Sequence, residues 1–265
     1  MSVSVALRET FRGLHRNPIL FVPVFVVALL HLAPLALRPT SPGLANLFSL
    51  LVSLPFVFVA PFVHGGLVGM SEELLDGDTS LRTFVREGKQ NYVSLLVVSL
   101  CFAVFVGGVV AVVFSVGLFA VFARYPGGAG DTSALVALLV IVLGVVVLTS
   151  LLIVFFVQFY AQAVVVDGRR AVGSVKRSVG VVWSNFGDVV GYSLVVAVLL
   201  ALSGGVLGVS SVVLSAESTT SVGVPASTFV GAGGLALVAV VVSTLVGGLC
   251  SVFSVAFYRT LTESP

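Results

Sequence analysis

Few residues in this chain could do chemistry. His31 and His64 fall inside long apolar runs, and Gln158 and Gln162 stand four residues apart, on one face of any helix that carries them. Ionisable and strongly polar groups in hydrocarbon mark substrate or proton pathways, so these four residues define a candidate polar path. His64, Gln162 and Tyr258 also fall near the inner ends of the second, fourth and sixth apolar runs, where a polar cluster could line a cavity. The plainer reading, and the one favoured here, is hydrogen bonding between helices, at about 0.6 kcal/mol per bond. Asp188 lies three residues past Asn185. A carboxylate there suits the positive end of a helix dipole; a proton relay is its sharper use.

Established catalytic and metal patterns are missing. The sequence has no HExxH, no carboxylate cluster at ligand spacing and no CxxC, so neither a metal site nor a cofactor is expected. Cys101 and Cys250 lie far apart in apolar runs and read as small apolar fillers. The stretch GVSSV at 208–212 lacks the second glycine of a nucleophile elbow. Two Asp-Gly dipeptides, in DGDTSLR at 76–82 and DGRRAV at 167–172, are shorter than the spaced-Asp motif of lipid phosphoalcohol transferases. The expectation is a protein that is not an enzyme and has no nucleic-acid partner.

The elements that must position these residues are membrane spans. Of the 265 residues, 58% are hydrophobic and 9% charged, against about 25% charged in soluble domains; mean hydropathy is +1.20. Apolar stretches run over 18–37, 44–70, 92–123, 133–166, 186–214 and 227–258, and a span needs about 20 such residues. The first reads as a span rather than a cleaved signal, because Pro23 and Pro34 interrupt it and no small-residue cleavage site follows. The breaks between stretches alternate in charge. Arg8, Arg12, Arg16, Arg82, Arg86, Lys89, Arg169, Arg170, Lys176, Arg177 and Arg259 fall on one side; only Arg38 and Arg124 fall on the other. The positive-inside rule then predicts six spans with both termini in the cytoplasm.

A repeat underlies this order. Arg8, Arg82 and Lys176 each lie nine residues before an asparagine, Asn17, Asn91 and Asn185, and each asparagine directly precedes a span. The unit is a basic amphipathic segment, an asparagine and two spans, with units over about 2–70, 78–167 and 170–258. In the first, Val3, Leu7, Phe11 and Leu14 recur at helical spacing opposite Arg8, Arg12 and Arg16, the pattern of a helix lying in the membrane interface. Arg82, Arg86, Lys176 and Arg177 hold the matching places, so Arg8, Arg12, Arg82, Arg86, Lys176 and Arg177 are candidate contacts for anionic headgroups. Trp183, the only tryptophan, suits the same boundary. Each asparagine is expected to turn the chain into a span as an N-cap, with Pro18 at N1 in the first unit. Gly65/Gly69, Gly187/Gly191 and Gly204/Gly208 are small-xxx-small pairs that predict close helix packing.

This triplicated pattern resembles the membrane domain fused to some glycerophosphodiester phosphodiesterases, and more nearly the stand-alone relatives of unknown function in halophilic archaea. The resemblance covers nearly the whole chain and implies a single membrane domain. The phosphodiesterase barrel with its metal-binding His and Glu/Asp is absent, so the resemblance carries over neither an activity nor catalytic residues. The sequence therefore predicts an all-α polytopic membrane protein, six spans in three two-helix repeats, each preceded by an interfacial amphipathic helix. Its expected role is a scaffold or lipid-associated protein whose basic cytoplasmic face engages anionic lipid, a second copy or a membrane-protein partner. A small transporter with a polar path is the alternative, and an intramembrane lipid-modifying enzyme the third.

Overall fold

In hydrocarbon every backbone N–H and C=O must be satisfied within the chain, so apolar runs of this length form helices. A computed structural model of the protein describes residues 3–37, 41–123, 133–214 and 229–262. Among them there is no strand. The helices are α1 (Val3–Arg16), α2 (Phe21–Leu37), α3 (Pro42–Asp76), α4 (Leu81–Ala123), α5 (Ser133–Val157), α6 (Tyr160–Val165), α7 (Ala171–Ser184), α8 (Phe186–Leu214) and α9 (Phe229–Thr262), with a 3-10 turn at Pro18–Leu20. Arg38 and Arg124, and the three breaks predicted to lie outside the cell, fall wholly or mostly outside the described residues.

Among the described residues five stretches are long and apolar enough to cross a membrane: Gly43–Asp76, Leu81–Phe119, Val140–Val165, Phe186–Ser210 and Gly234–Thr262. The count reaches six if α1 and the helix after it, bent by 91° across Asn17, are taken as one broken span. Pro18 makes that elbow, since it has no N–H to continue α1. The corresponding corner in the second unit is absent. α4 runs unbroken through Asn91; Tyr92, unlike Pro18, carries an N–H that allows the helix to continue. The expectation of an in-plane helix over 79–90 is corrected accordingly. In the third unit the helix breaks at Asn185, between α7 and α8.

Lengths exceed what a bilayer needs. At 1.5 Å per residue, the 35 residues of α3 extend about 50 Å, against roughly 30 Å of hydrocarbon. The excess is used at the end that carries the basic segments. Three of the four buried clusters lie there: Ala6, Phe159, Val182, Tyr192 and Phe257 in one, Leu14, Leu20, Met70 and Val252 in the next, and Val68, Leu95, Val164 and Val255 in the third. Toward the other end burial thins to one small cluster, Ala236 with Leu32, Leu207 and Leu235, which joins α9, α2 and α8. In four of the five candidate spans the most apolar window is only 6% buried; in α9 it is 33% buried. The described residues are packed most heavily at the basic end, and beyond it the long helices expose apolar faces.

Close approach of α3 and α4 depends on glycine. A Cβ on Gly66 would lie 2.6 Å from the Phe84 carbonyl oxygen, and one on Gly88 would lie 2.8 Å from the Phe62 carbonyl oxygen. Gly65 and Gly69 share this seam, as their spacing predicts, against Leu95 and Glu87. The other two pairs do not behave so. Gly187, Gly204 and Gly208 have open space where a Cβ would stand, and Gly191 meets only Val3. A second close approach, Gly247 and Gly248 against Val24 and Phe21, lacks the four-residue spacing.

Candidate functional site

At the basic end two helices, α1 and α7, bury the same register. α1 buries Ala6, Thr10, Gly13 and Leu14; α7 buries Ser174, Ser178, Val181 and Val182. Both sets stand eleven, seven, four and three residues before the following asparagine. At the last three of those places α4 has Phe84, Glu87 and Gly88, which pack on the glycines of α3. The predicted apolar face of α1 is thus corrected by about a third of a turn. Phe11 is 60% exposed, while Thr10 is fully buried with its hydroxyl donating to the Ala6 carbonyl at 2.7 Å. α1 presents its small residues to α3 and α9 and its Phe to the surroundings.

None of the three asparagines caps as expected. Asn17 makes no side-chain cap bond. Its Nδ2 donates to the Gly77 carbonyl at 2.9 Å, tying the elbow to the end of α3. Asn91 sits inside α4, where Nδ2 donates to the Glu87 carbonyl and to Glu87 Oε2, both at 3.1 Å. Asn185 closes α7 rather than opening α8: Nδ2 donates to the Val181 carbonyl at 3.0 Å. In each case the amide serves as a donor to a carbonyl, whereas capping uses its oxygen as an acceptor.

Ion pairs fasten the helix ends. Arg259 of α9 grips Asp76 through both terminal nitrogens, at 2.7 and 2.6 Å, and reaches Glu72 at 3.6 Å. Its neighbour Tyr258, fully buried, donates to Asp167 Oδ2 at 2.8 Å. Arg177 Nε donates to the same oxygen at 2.8 Å, and that hydrogen bond raises the guanidinium above its ordinary pKa. Arg177 thus commits its Nε to Asp167, with its side chain 41% exposed. Asp76 and Asp167 belong to the two Asp-Gly dipeptides, which the sequence reading set aside; adjacent residues of α9 hold both. Their sign in the sequence is that each dipeptide ends an apolar run on the basic side.

Ser178 supplies another joint that sequence reasoning missed. α5 breaks at Gln158 and Phe159 before α6 begins. The Ser178 hydroxyl enters the break, donating to the Phe156 carbonyl at 2.9 Å and accepting the Phe159 N–H at 3.1 Å. It thereby satisfies backbone groups that a helix interruption in an apolar setting would strand.

The candidate polar path does not assemble. His31 is exposed, its Nδ1 3.0 Å from the Val27 carbonyl of its own helix and its ring edge-on to Phe56. His64, also exposed, is edge-on to Tyr160. Gln158 bonds Ser193 at 3.3 Å, and Gln162 donates to Ser254 at 2.9 Å. The glutamines thus join the α5–α6 break to α8 and α6 to α9. Gln162 Oε1 is buried with no hydrogen-bond partner among the described residues. Four open grooves of about 440 to 530 Å³ run between helices, and none is lined by His31, His64, Gln158 or Gln162. Among the described residues no group of three His, Cys, Asp or Glu side chains could hold a metal ion. Asp188 stands in the first turn of α8, where the helix dipole favours it.

The remaining headgroup candidates stay at the surface. Arg8, Arg12, Arg82, Arg86 and Lys176 are all exposed. Arg86 pairs with Glu87 at 3.0 Å while its side chain remains 59% exposed, a contact worth at most about 1 kcal/mol. Trp183 is 75% exposed and stacks on Phe156. No curated protein and no solved structure matches the chain. A family model does, over residues 1–261, and the chain belongs to that family, the domain of unknown function DUF7847.

Proposed function

We propose that the protein is a non-enzymatic, lipid-associated membrane scaffold, built from three two-helix units, with both termini in the cytoplasm and its basic end against anionic headgroups. One observation carries the reading: charged and apolar surfaces are sorted along the molecule. Arg8, Arg12, Arg82, Arg86 and Lys176 stand exposed around the packed end, and beyond it the long helices expose apolar faces. Such a body presents cations to the headgroup layer and hydrocarbon to acyl chains.

The buried register shared by α1 and α7, and the packing of Phe84, Glu87 and Gly88 of α4 on α3 at corresponding places, support the three-unit reading. The likeness to the membrane domain fused to glycerophosphodiester phosphodiesterases rests on the same repeat and brings no activity with it. A transport path draws less support, because a path needs polar groups converging near the midplane and the four candidates take separate partners.

The test is thermal melting in nanodiscs of phosphatidylglycerol and of phosphatidylcholine. The expected result is a melting temperature several degrees higher in the anionic lipid, with the gap closing at about 1 M salt as screening removes the attraction. Charge-neutral variants at Arg8, Arg12, Arg82 and Arg86 should narrow it at low salt. Equal melting in both lipids at low salt overturns the reading.

A further inference from the structure

We propose that the groove between α4 and α5 seats one anionic phospholipid, with an acyl chain between the helices and the phosphate on Lys176. The proposal rests on the lipid-associated reading above and gives it a specific site. The groove has a volume of about 440 Å³, with Cys101 and Phe105 of α4 and Ile153 of α5 in its walls. At the basic end α7 closes it with Val172, Val175 and Lys176. Every lining residue but Lys176 is apolar or a thiol, so the groove accepts hydrocarbon along its length and offers one cation at the end where headgroups lie.

Lys176 is suited to that place. It is exposed and forms no ion pair among the described residues, whereas its neighbour Arg177 is held by Asp167. A lysine can lay its apolar stem along a groove and hold its ammonium at the polar boundary. As a compact point charge it pairs readily with phosphate. Ser178, one turn beyond Val175, is locked into the α5–α6 break, and this fixes α7 across the mouth of the groove.

The molecule contains its own comparison. A second groove, of about 530 Å³, lies between α2 and α3, with Val26 and Val59 in its walls, and is closed by Leu81, Phe84 and Val85 of α4. Counted from Asp167, the closing residues of the first groove are fifth, eighth and ninth; counted from Asp76, those of the second hold the same places. The ninth place is Lys176 in one groove and Val85 in the other. In the asparagine register Lys176 matches Arg82 instead, but Arg82 does not line the second groove; by either count that groove has no cation in its lining. The first selects anionic lipid; the second takes hydrocarbon without regard to headgroup.

The experiment is native mass spectrometry of the full chain in detergent, titrated with phosphatidylglycerol and with phosphatidylcholine. Wild type should retain one phosphatidylglycerol in preference to phosphatidylcholine. Lys176→Gln should reduce that preference about fivefold, Lys176→Arg should keep it, and Val85→Lys should add a second phosphatidylglycerol. Val97→Trp, which fills the first groove from its wall, should abolish the retained lipid. A second readout guards against misfolding of that variant. In nanodiscs, with Cys250 replaced by Ala, alkylation of Cys101 by a membrane-permeant maleimide should be slower in phosphatidylglycerol than in phosphatidylcholine. Lys176→Gln should erase the difference. If wild type prefers phosphatidylglycerol but Lys176→Gln leaves both readouts unchanged, the groove assignment is wrong and the wider reading stands. If wild type shows no preference between the lipids, both fall.

Discussion

Arg259, near the C-terminal end of α9, grips Asp76 at the end of α3 with two hydrogen bonds of 2.6 and 2.7 Å across 183 residues of chain. The next residue back, Tyr258, holds Asp167. Two adjacent side chains of α9 therefore hold the end of α3 and the turn after α6. Bidentate geometry favours the Arg259–Asp76 pair, but Asp76 is 66% exposed, so solvent screens most of the attraction. Arg259→Met should cost about 1 kcal/mol, a melting shift of about 2–4 °C in detergent. A double-mutant cycle with Asp76→Asn should return a coupling energy of the same order. Additive effects of the two substitutions would show that the pair contributes nothing.

Ser178→Ala should cost more. It leaves the fully buried Phe159 without a partner for its N–H, a loss of about 1–3 kcal/mol. Ser184→Ala, at an exposed position on the same helix, should stay within about 0.5 kcal/mol. Thermal melting of the two variants side by side checks the contrast; equal melting would remove the helix-break role from Ser178.

The asparagines give an ordering opposite to that of caps. An N-cap tolerates Asp, which accepts as well as Asn does. A donor does not. Asn17→Asp sets a carboxylate against the Gly77 carbonyl, and Asn91→Asp sets one against Glu87 Oε2. At both positions Asn→Asp should melt lower than Asn→Ala, by about 1 kcal/mol or more. If Asp is tolerated better than Ala, the donor assignment is wrong.

Glycine substitutions should separate the two kinds of small-residue pair. Gly66→Ala brings a Cβ to 2.6 Å from a backbone oxygen, which rigid helices relieve only by moving apart, at a cost of about 1–3 kcal/mol or more. Gly204→Ala meets nothing and should be neutral or stabilising by up to about 1 kcal/mol through helix propensity. Melting and the yield of monodisperse protein in detergent report both.

What the sequence made legible follows from which forces act locally. The long apolar helices and the gathering of cations at one end follow from composition alone. The elbow at Asn17 was legible from Pro18 directly after a basic segment, although α2 and α3 carry Pro34, Pro55 and Pro61 without a break; Tyr92 keeps its N–H, and the expected second corner vanished. The roles of the asparagines depended on carbonyls supplied by packing, in one case 60 residues away. The face of α1 was misjudged for a reason particular to membranes. Where the surroundings are as apolar as the core, hydrophobicity does not separate inside from outside, and small residues such as Ala6, Thr10 and Gly13 mark the interface instead. The Asp-Gly dipeptides carried no motif; their meaning lies in Tyr258 and Arg259, far away in the chain.

The central claim, that the basic end gathers anionic lipid around the protein, is tested most directly by electron paramagnetic resonance of spin-labelled lipids. Full-length protein is reconstituted in phosphatidylcholine bilayers doped with spin-labelled phosphatidylglycerol or spin-labelled phosphatidylcholine, and the motionally restricted fraction of each probe is compared. At low salt the restricted fraction of the phosphatidylglycerol probe should exceed that of the phosphatidylcholine probe. The excess should shrink at about 1 M salt, where the Debye length falls to about 3 Å, and should fall in the Arg8, Arg12, Arg82 and Arg86 charge-neutral variants. Equal restriction of the two probes at low salt would contradict the account.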